Sequence, residues 1–112
     1  MPKPKPLQFE WDPAKAETND AKYGVTFDEA ASIFKDRYAL FFDDLEHSQK
    51  TKRELVIAKS KVRDRLLTCF FERTENKIHI VGARVSTHRE RQDYDENAES
   101  KKNKYKITTY YE

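Results

Sequence analysis

Apolar and polar positions alternate from Leu7 to Trp11 (Leu-Gln-Phe-Glu-Trp), the period of a short strand. Asp12-Pro13 then marks a helix start: the aspartate can cap open amides, and proline at the first helical position loses no hydrogen bond. The pattern predicts a helix from Pro13 to about Tyr23, ended by Gly24. Thr26-Phe27-Asp28-Glu29 fits a capping box, and Phe27, Ala30, Ala31 and Phe34 share one face of a second helix ending near Lys35.

Four strand-like runs come next. They are Tyr38–Phe42, Arg53–Lys59, Leu66–Phe71 and Ile78–Val85, separated by a polar connection at 43–51 and by turns at Lys61–Asp64 and Thr74–Lys77. Leu66–Phe71 is the most apolar and is expected at the centre of the sheet. From Thr87 the pattern becomes helical and mostly polar to about Asn97, with Thr87 and Glu90 as a second capping box. Glu99–Lys104 reads as a charged linker. Tyr105–Tyr111 reads as a further strand or an arm that orders on a partner.

The order β-α-α-β-β-β-β-α predicts an α+β fold. An antiparallel sheet of four or more strands carries two N-terminal helices and one helix after the sheet. Helices are expected on one face, with the other open to ligand. The expected organisation is one domain over residues 1–97, with residues 1–6 a flexible tail, and an appendage at 98–112.

Composition adds limits. With 112 residues, 38% of them charged, the chain has a thin core, yet seven Phe and six Tyr argue against disorder. The single Cys69 excludes an internal disulfide and a cysteine-based zinc site, and its apolar run reads as core. The opening MPKPKP carries charge with no apolar stretch behind it, and no run approaches a membrane span, so a cytoplasmic protein is expected.

Net charge is +2, but its distribution is uneven. Residues 1–49 hold six basic and ten acidic side chains, residues 50–91 twelve and five, and residues 92–112 four and five. A basic middle segment suits a polyanion, although solvated surface charge produces the same count.

Two glycines cannot form a phosphate-binding loop, and three scattered histidines lack zinc-hydrolase spacing. Nothing resembles a nucleophile elbow. Neither a metal nor a cofactor is expected.

RNA cleavage without metal needs other parts. The ribose 2′-OH attacks phosphorus, a base removes its proton, an acid protonates the leaving oxygen, and cations hold the developing charge. Arg84 and Arg91 are the candidates for phosphate and transition-state contacts, with Glu72 or Glu90 as base and His79 or His88 as acid. Arg65, Arg73, Lys77, His88 and Arg89 are candidates for holding the RNA backbone. Arg84 stands out because Gly82 and Ala83 beside it leave room for a ligand. Its purely structural alternative is an ion pair to the last helix, through Glu72 or Asp93. Arg89-Glu90-Arg91 on an exposed helix is ordinarily solvation.

FEWDPAKAETNDAKYGVTFDEA (Phe9–Ala30) resembles the opening of the BrnT family of bacterial toxins, with matches at Trp11, Asp12, Lys15, Asn19, Lys22, Gly24, Val25, Phe27 and Ala30. His47-Ser48, Arg53, Arg65-Leu66-Leu67 and Glu72-Arg73 resemble the loop, strand entry and central hairpin of the family. The closing matches are Ile78, Ile80, Ala83, Arg84, Thr87, Arg89, Glu90, Arg91 and Tyr94.

The resemblance spans roughly residues 7–96 and implies a RelE-like fold. It also implies a ribonuclease toxin of a type II toxin–antitoxin pair, neutralised by a BrnA-like antitoxin whose ribbon-helix-helix region binds operator DNA. Three positions depart from the family: Tyr23 stands where histidine is usual, His79 where arginine is common, and Gly82 where serine is common. A tyrosine is a poor base at neutral pH. This opens a second reading, a weak or inactive toxin fold that serves antitoxin binding and operon autoregulation. A plain nucleic-acid-binding domain ranks third.

Overall fold

The computed structural model of the chain describes residues 6–47 and 51–111, with side chains as far as residue 102. The elements are β1 (Gln8–Glu10), α1 (Pro13–Tyr23), α2 (Phe27–Ser32) running into a 3-10 turn (Ile33–Lys35), β2 (Leu40–Asp43), β3 (Arg53–Ser60), β4 (Arg65–Thr74), β5 (Lys77–Val85) and α3 (His88–Tyr111). Met1–Lys5 of the expected tail and Ser48–Lys50 of the polar connection lie outside the described residues.

Local chemistry sets the helix boundaries. Asp12 accepts a bond from the Ala14 amide, and Gly24 at φ 68° closes α1 in the left-handed conformation. Thr26 accepts from the Glu29 amide at 3.1 Å, so half of the first capping box is present. The reciprocal half is missing, because the Glu29 carboxylate turns inward to Arg65 at 2.6 Å.

The sheet order is β1-β5-β4-β3-β2, with β4 central. Strands β2 to β5 form the expected antiparallel meander. Strand β1 pairs parallel with β5, Phe9 opposite Ile78, which makes the sheet five-stranded and mixed. Intervening α1 and α2 carry the chain back across the sheet, as a parallel pairing requires.

Alternation divides the sheet into two faces. Val56, Ala58, Leu67, Cys69, Phe71, Ile78, Ile80 and Ala83 pack with Val25, Phe27, Ala30 and Ile33 from the α1–α2 layer in the main core. Cys69 is fully buried there, and burial pushes its thiol pKa up, so it serves as packing. Ile57 and Leu66 point the other way and pack with Tyr94 of α3, flanked by Tyr38, Leu40 and Leu55. The helices therefore occupy both faces, contrary to the expectation of one. Tyr94 gives α3 an apolar anchor on the second face, so only part of that face stays open.

Two local features change the outcome. A register shift between Phe70 and Phe71 places Phe71 opposite Ile80 but Phe70 opposite Gly82, leaving Val81 as an extra residue in β5. In uninterrupted alternation Arg84 would follow Ile78 and Ile80 into the core. The bulge reverses the parity, so Ala83 is buried and Arg84 shares the second face with Thr68. The other feature is the length of α3. Residues 98–111 continue the helix instead of forming a linker and strand. Ala98, Glu99, Lys101 and Lys102 favour helix, and no glycine or proline stops it.

Candidate active site

On the open part of the second face lies a groove of about 310 Å³. It is bounded by Asn19 and Tyr23 of α1, Asp44 and His47 in the turn after β2, Arg53 and Phe70 on the sheet, and Val81–Arg84 of β5. Arg84 sits at its edge in a dense network. Its Nη1 and Nη2 donate to the two carboxylate oxygens of Glu90 at 2.7 and 3.0 Å. The guanidinium lies over the Phe70 ring, 5.4 Å from its centre.

Glu90 receives more bonds. The Thr87 amide reaches it at 2.8 Å and the Thr68 hydroxyl at 3.0 Å. Thr87 in return accepts from the Glu90 amide at 3.2 Å, completing the second capping box. Since Thr68 spends its one proton on Glu90, Ser86 donates to Thr68 across 2.8 Å. Burial alone would raise the Glu90 pKa. The bonds from Arg84, Thr87 and Thr68 overcome it and hold the carboxyl at about 2. A carboxylate so occupied is a poor proton acceptor. Glu90 orients Arg84, and Arg84 keeps its Nε–H and the outer N–H beside it for a ligand.

Asn19 secures the neighbouring backbone. It is buried, donates to the carbonyls of Val25 and Ala83 at 2.9 Å each, and accepts from the Ala83 amide at 3.1 Å. The end of α1, the turn after it and the strand carrying Arg84 are thereby joined at one amide.

Across the groove, His47 Nδ1 lies 3.0 and 3.1 Å from the Asp44 oxygens. The Asp44 amide donates to the Arg53 carbonyl at 2.8 Å, tying the turn to the start of β3. Arg53 in turn meets Glu72, its cross-strand partner, at 3.3 Å.

The remaining sequence candidates scatter. Glu72 is on the groove's face but engaged by Arg53. His79 pairs with Glu10 at 3.4 Å, and Lys77 with Glu10 at 3.8 Å, both toward the β1 edge. His88, Arg89 and Arg91 are exposed on the first turn of α3. Arg73 lies on the opposite face, paired with Glu54 at 3.1 Å and stacked over Phe41 and Phe71. Arg65 is also on that face, its Nη2 donating to Glu29 and to the Gly24 carbonyl at 2.8 Å. Neither Arg65 nor Arg73 lines the groove.

Residue patterning assigned no role to Asp44, His47, Arg53 or Phe70. The available signal is local: Asp44 and His47 are three apart in a polar turn, and only the β2–β3 pairing brings Arg53 beside them. Among the described residues, no three of His, Cys, Asp and Glu gather as a metal-ligand set. No helix there is long and apolar enough to cross a membrane.

Residues 11–90 match the family model described as ribonuclease toxin, BrnT, of type II toxin-antitoxin system. The chain belongs to the BrnT family. Its fold is similar to the crystal structure of the Brucella abortus ribonuclease toxin BrnT, with a TM-score of 0.55 and 18% identity over 73% of this chain and 99% of that one. No curated protein matches the sequence. The BrnT match ends at Glu90, the residue that fixes Arg84, so most of α3 lies outside it.

Proposed function

We propose that this BrnT family member is a metal-independent endoribonuclease that inhibits translation and growth, neutralised by a cognate BrnA-like antitoxin. The observation that supports it is Arg84, fixed by Glu90 at the edge of a groove with donors left for a phosphate. Fixed donors aimed at developing charge stabilise a transition state without reorganising during the reaction. The nucleophile is the ribose 2′-OH, so no metal-bound hydroxide is needed. Arg84 holds the non-bridging oxygens, and the Phe70 ring offers a surface for a base. Operator DNA is contacted only through the antitoxin. Residues 98–111 of α3 serve as a partner-binding arm.

The test is RNA cleavage by the purified, antitoxin-free protein with EDTA present. Cleavage by the wild type and its loss in a folded Arg84→Ala variant are expected. A folded Arg84→Ala protein that still arrests growth overturns the assignment.

A second reading has its own support. Arg84, Arg53 and Arg73 all face carboxylates, which lowers the net positive field of the surface, and Tyr23 stands where the family usually has histidine. A weak or inactive fold that acts by binding antitoxin fits this. Expression without the antitoxin separates the two: growth arrest supports the enzyme, tolerance the binder.

A further inference from the structure

We propose that His47, held by Asp44, is the general base of RNA cleavage, an assignment that rests on the ribonuclease reading above. His47 and Asp44 line the same groove as Arg84. The Asp44 carboxylate is almost wholly shielded from solvent, whereas the His47 side chain is 55% exposed. An imidazole backed by a buried carboxylate donates its Nδ1–H to that carboxylate. The Nε2 lone pair is then directed away from Asp44 and open to substrate.

The turn is held as well as the side chain. The Asp44 amide bonds to the Arg53 carbonyl, and the His47 amide to the Asp44 carbonyl at 3.3 Å. The other carboxylates near the groove are committed: Glu90 to Arg84 and Glu72 to Arg53. Among the groove's own side chains, His47 alone carries an imidazole, the side chain most often used as a general base.

His47 Nε2 takes the proton from the 2′-OH while the 2′ oxygen forms its bond to phosphorus. The bond from phosphorus to the 5′ oxygen breaks, and water protonates that leaving oxygen. The products are a 2′,3′-cyclic phosphate and a 5′-OH, with the imidazolium returning its proton to water. Among the described residues, the ionisable groups that line the groove with the imidazole are Asp44 on its own turn, Tyr23 from α1, Arg53 from β3 and Arg84 from β5.

The experiment is single-turnover cleavage of a labelled RNA as a function of pH, by wild type, His47→Gln and Asp44→Asn. The wild-type rate should fall at acid pH as the base is protonated. His47→Gln should lose on the order of 100-fold in rate with RNA affinity within about threefold, and the acid limb should vanish. Asp44→Asn should lose about tenfold. Added imidazole should partly restore His47→Ala, a rescue that a purely structural residue would not show. A His47→Gln protein that cleaves within about threefold of wild type, with its acid limb intact, overturns the base assignment and leaves the ribonuclease reading standing. A folded wild type that cleaves neither free RNA nor message on translating ribosomes overturns the ribonuclease reading, and His47 with it.

Discussion

Glu90 grips Arg84 at both ends of its guanidinium, 2.7 and 3.0 Å, from the first turn of the helix that comes after the arginine's own strand. They lie six positions apart in the chain, yet the pair joins β5 to α3 and sets the angle of the cation at the groove. Glu90→Gln keeps the shape and removes the charge. It should cost on the order of 1–2 kcal/mol in urea unfolding and about tenfold in cleavage rate. The wild-type carboxyl is depressed from 4.5 to about 2 in the folded state. Its contribution is therefore present above about pH 4.5 and lost as pH falls toward about 2. Melting temperatures across that window should fall more steeply for wild type than for Glu90→Gln, and parallel curves would refute the linkage.

Arg65 has a structural assignment with a measurable consequence. Its hydrogen bonds to Glu29 are the leading cause of that carboxyl's lowered pKa, outweighing the opposing effect of burial. The Glu29 side chain is only 3% exposed, so Arg65→Ala leaves a buried charge without its partner. A loss of about 3 kcal/mol is expected, with RNA affinity within about twofold once the protein is folded. A folded Arg65→Ala variant of unchanged stability and weakened RNA binding would return this arginine to the RNA-binding set.

Asn19→Ala tests the junction beside the site. The substitution strands the Ala83 amide and carbonyl and the Val25 carbonyl. Burial of unsatisfied polar groups should cost about 2–3 kcal/mol. Because the junction sits next to Arg84, hydrogen exchange at Ala83 should accelerate beyond the global change, which distinguishes local release of β5 from general destabilisation.

Periodicity and capping chemistry made most elements legible. Asp12-Pro13 starts α1, Gly24 ends it, and the β2–β5 runs lie close to where alternation places them. Residue type also singled out Arg84, and the second capping box placed Glu90 three residues after Thr87. What escaped were features that depend on pairing. A β-bulge has no composition of its own, so reading Ile78, Ile80 and Gly82 as one face gives no account of how Arg84 leaves the core. Arg65 and Arg73 look the same in sequence as a phosphate-binding arginine; their odd positions in β4 put them on the face covered by α1 and α2. His47 lies in a polar connection with no periodicity, and its role emerges only when β3 returns Arg53 to its side.

Tyr94 fastens α3 to the sheet one turn beyond Glu90. Its hydroxyl donates to Asp36 at 2.6 Å, and the same carboxylate oxygen accepts from the Lys59 amide at 2.8 Å, so helix, loop and strand meet at one oxygen. Burial, then the bond and charge of Asp36, push the Tyr94 pKa above its ordinary 10.0. The unfolded chain therefore ionises first, and the stabilisation, present below about pH 10, is lost above it. Tyr94→Phe should cost about 1–2 kcal/mol at neutral pH and flatten the alkaline fall in melting temperature. A helix loosened at Tyr94 also loosens the turn that carries Glu90, so a two- to threefold drop in cleavage (roughly 0.5 kcal/mol) is expected. Unchanged cleavage despite lost stability would mean that the Thr87–Glu90 cap alone is enough to hold Arg84.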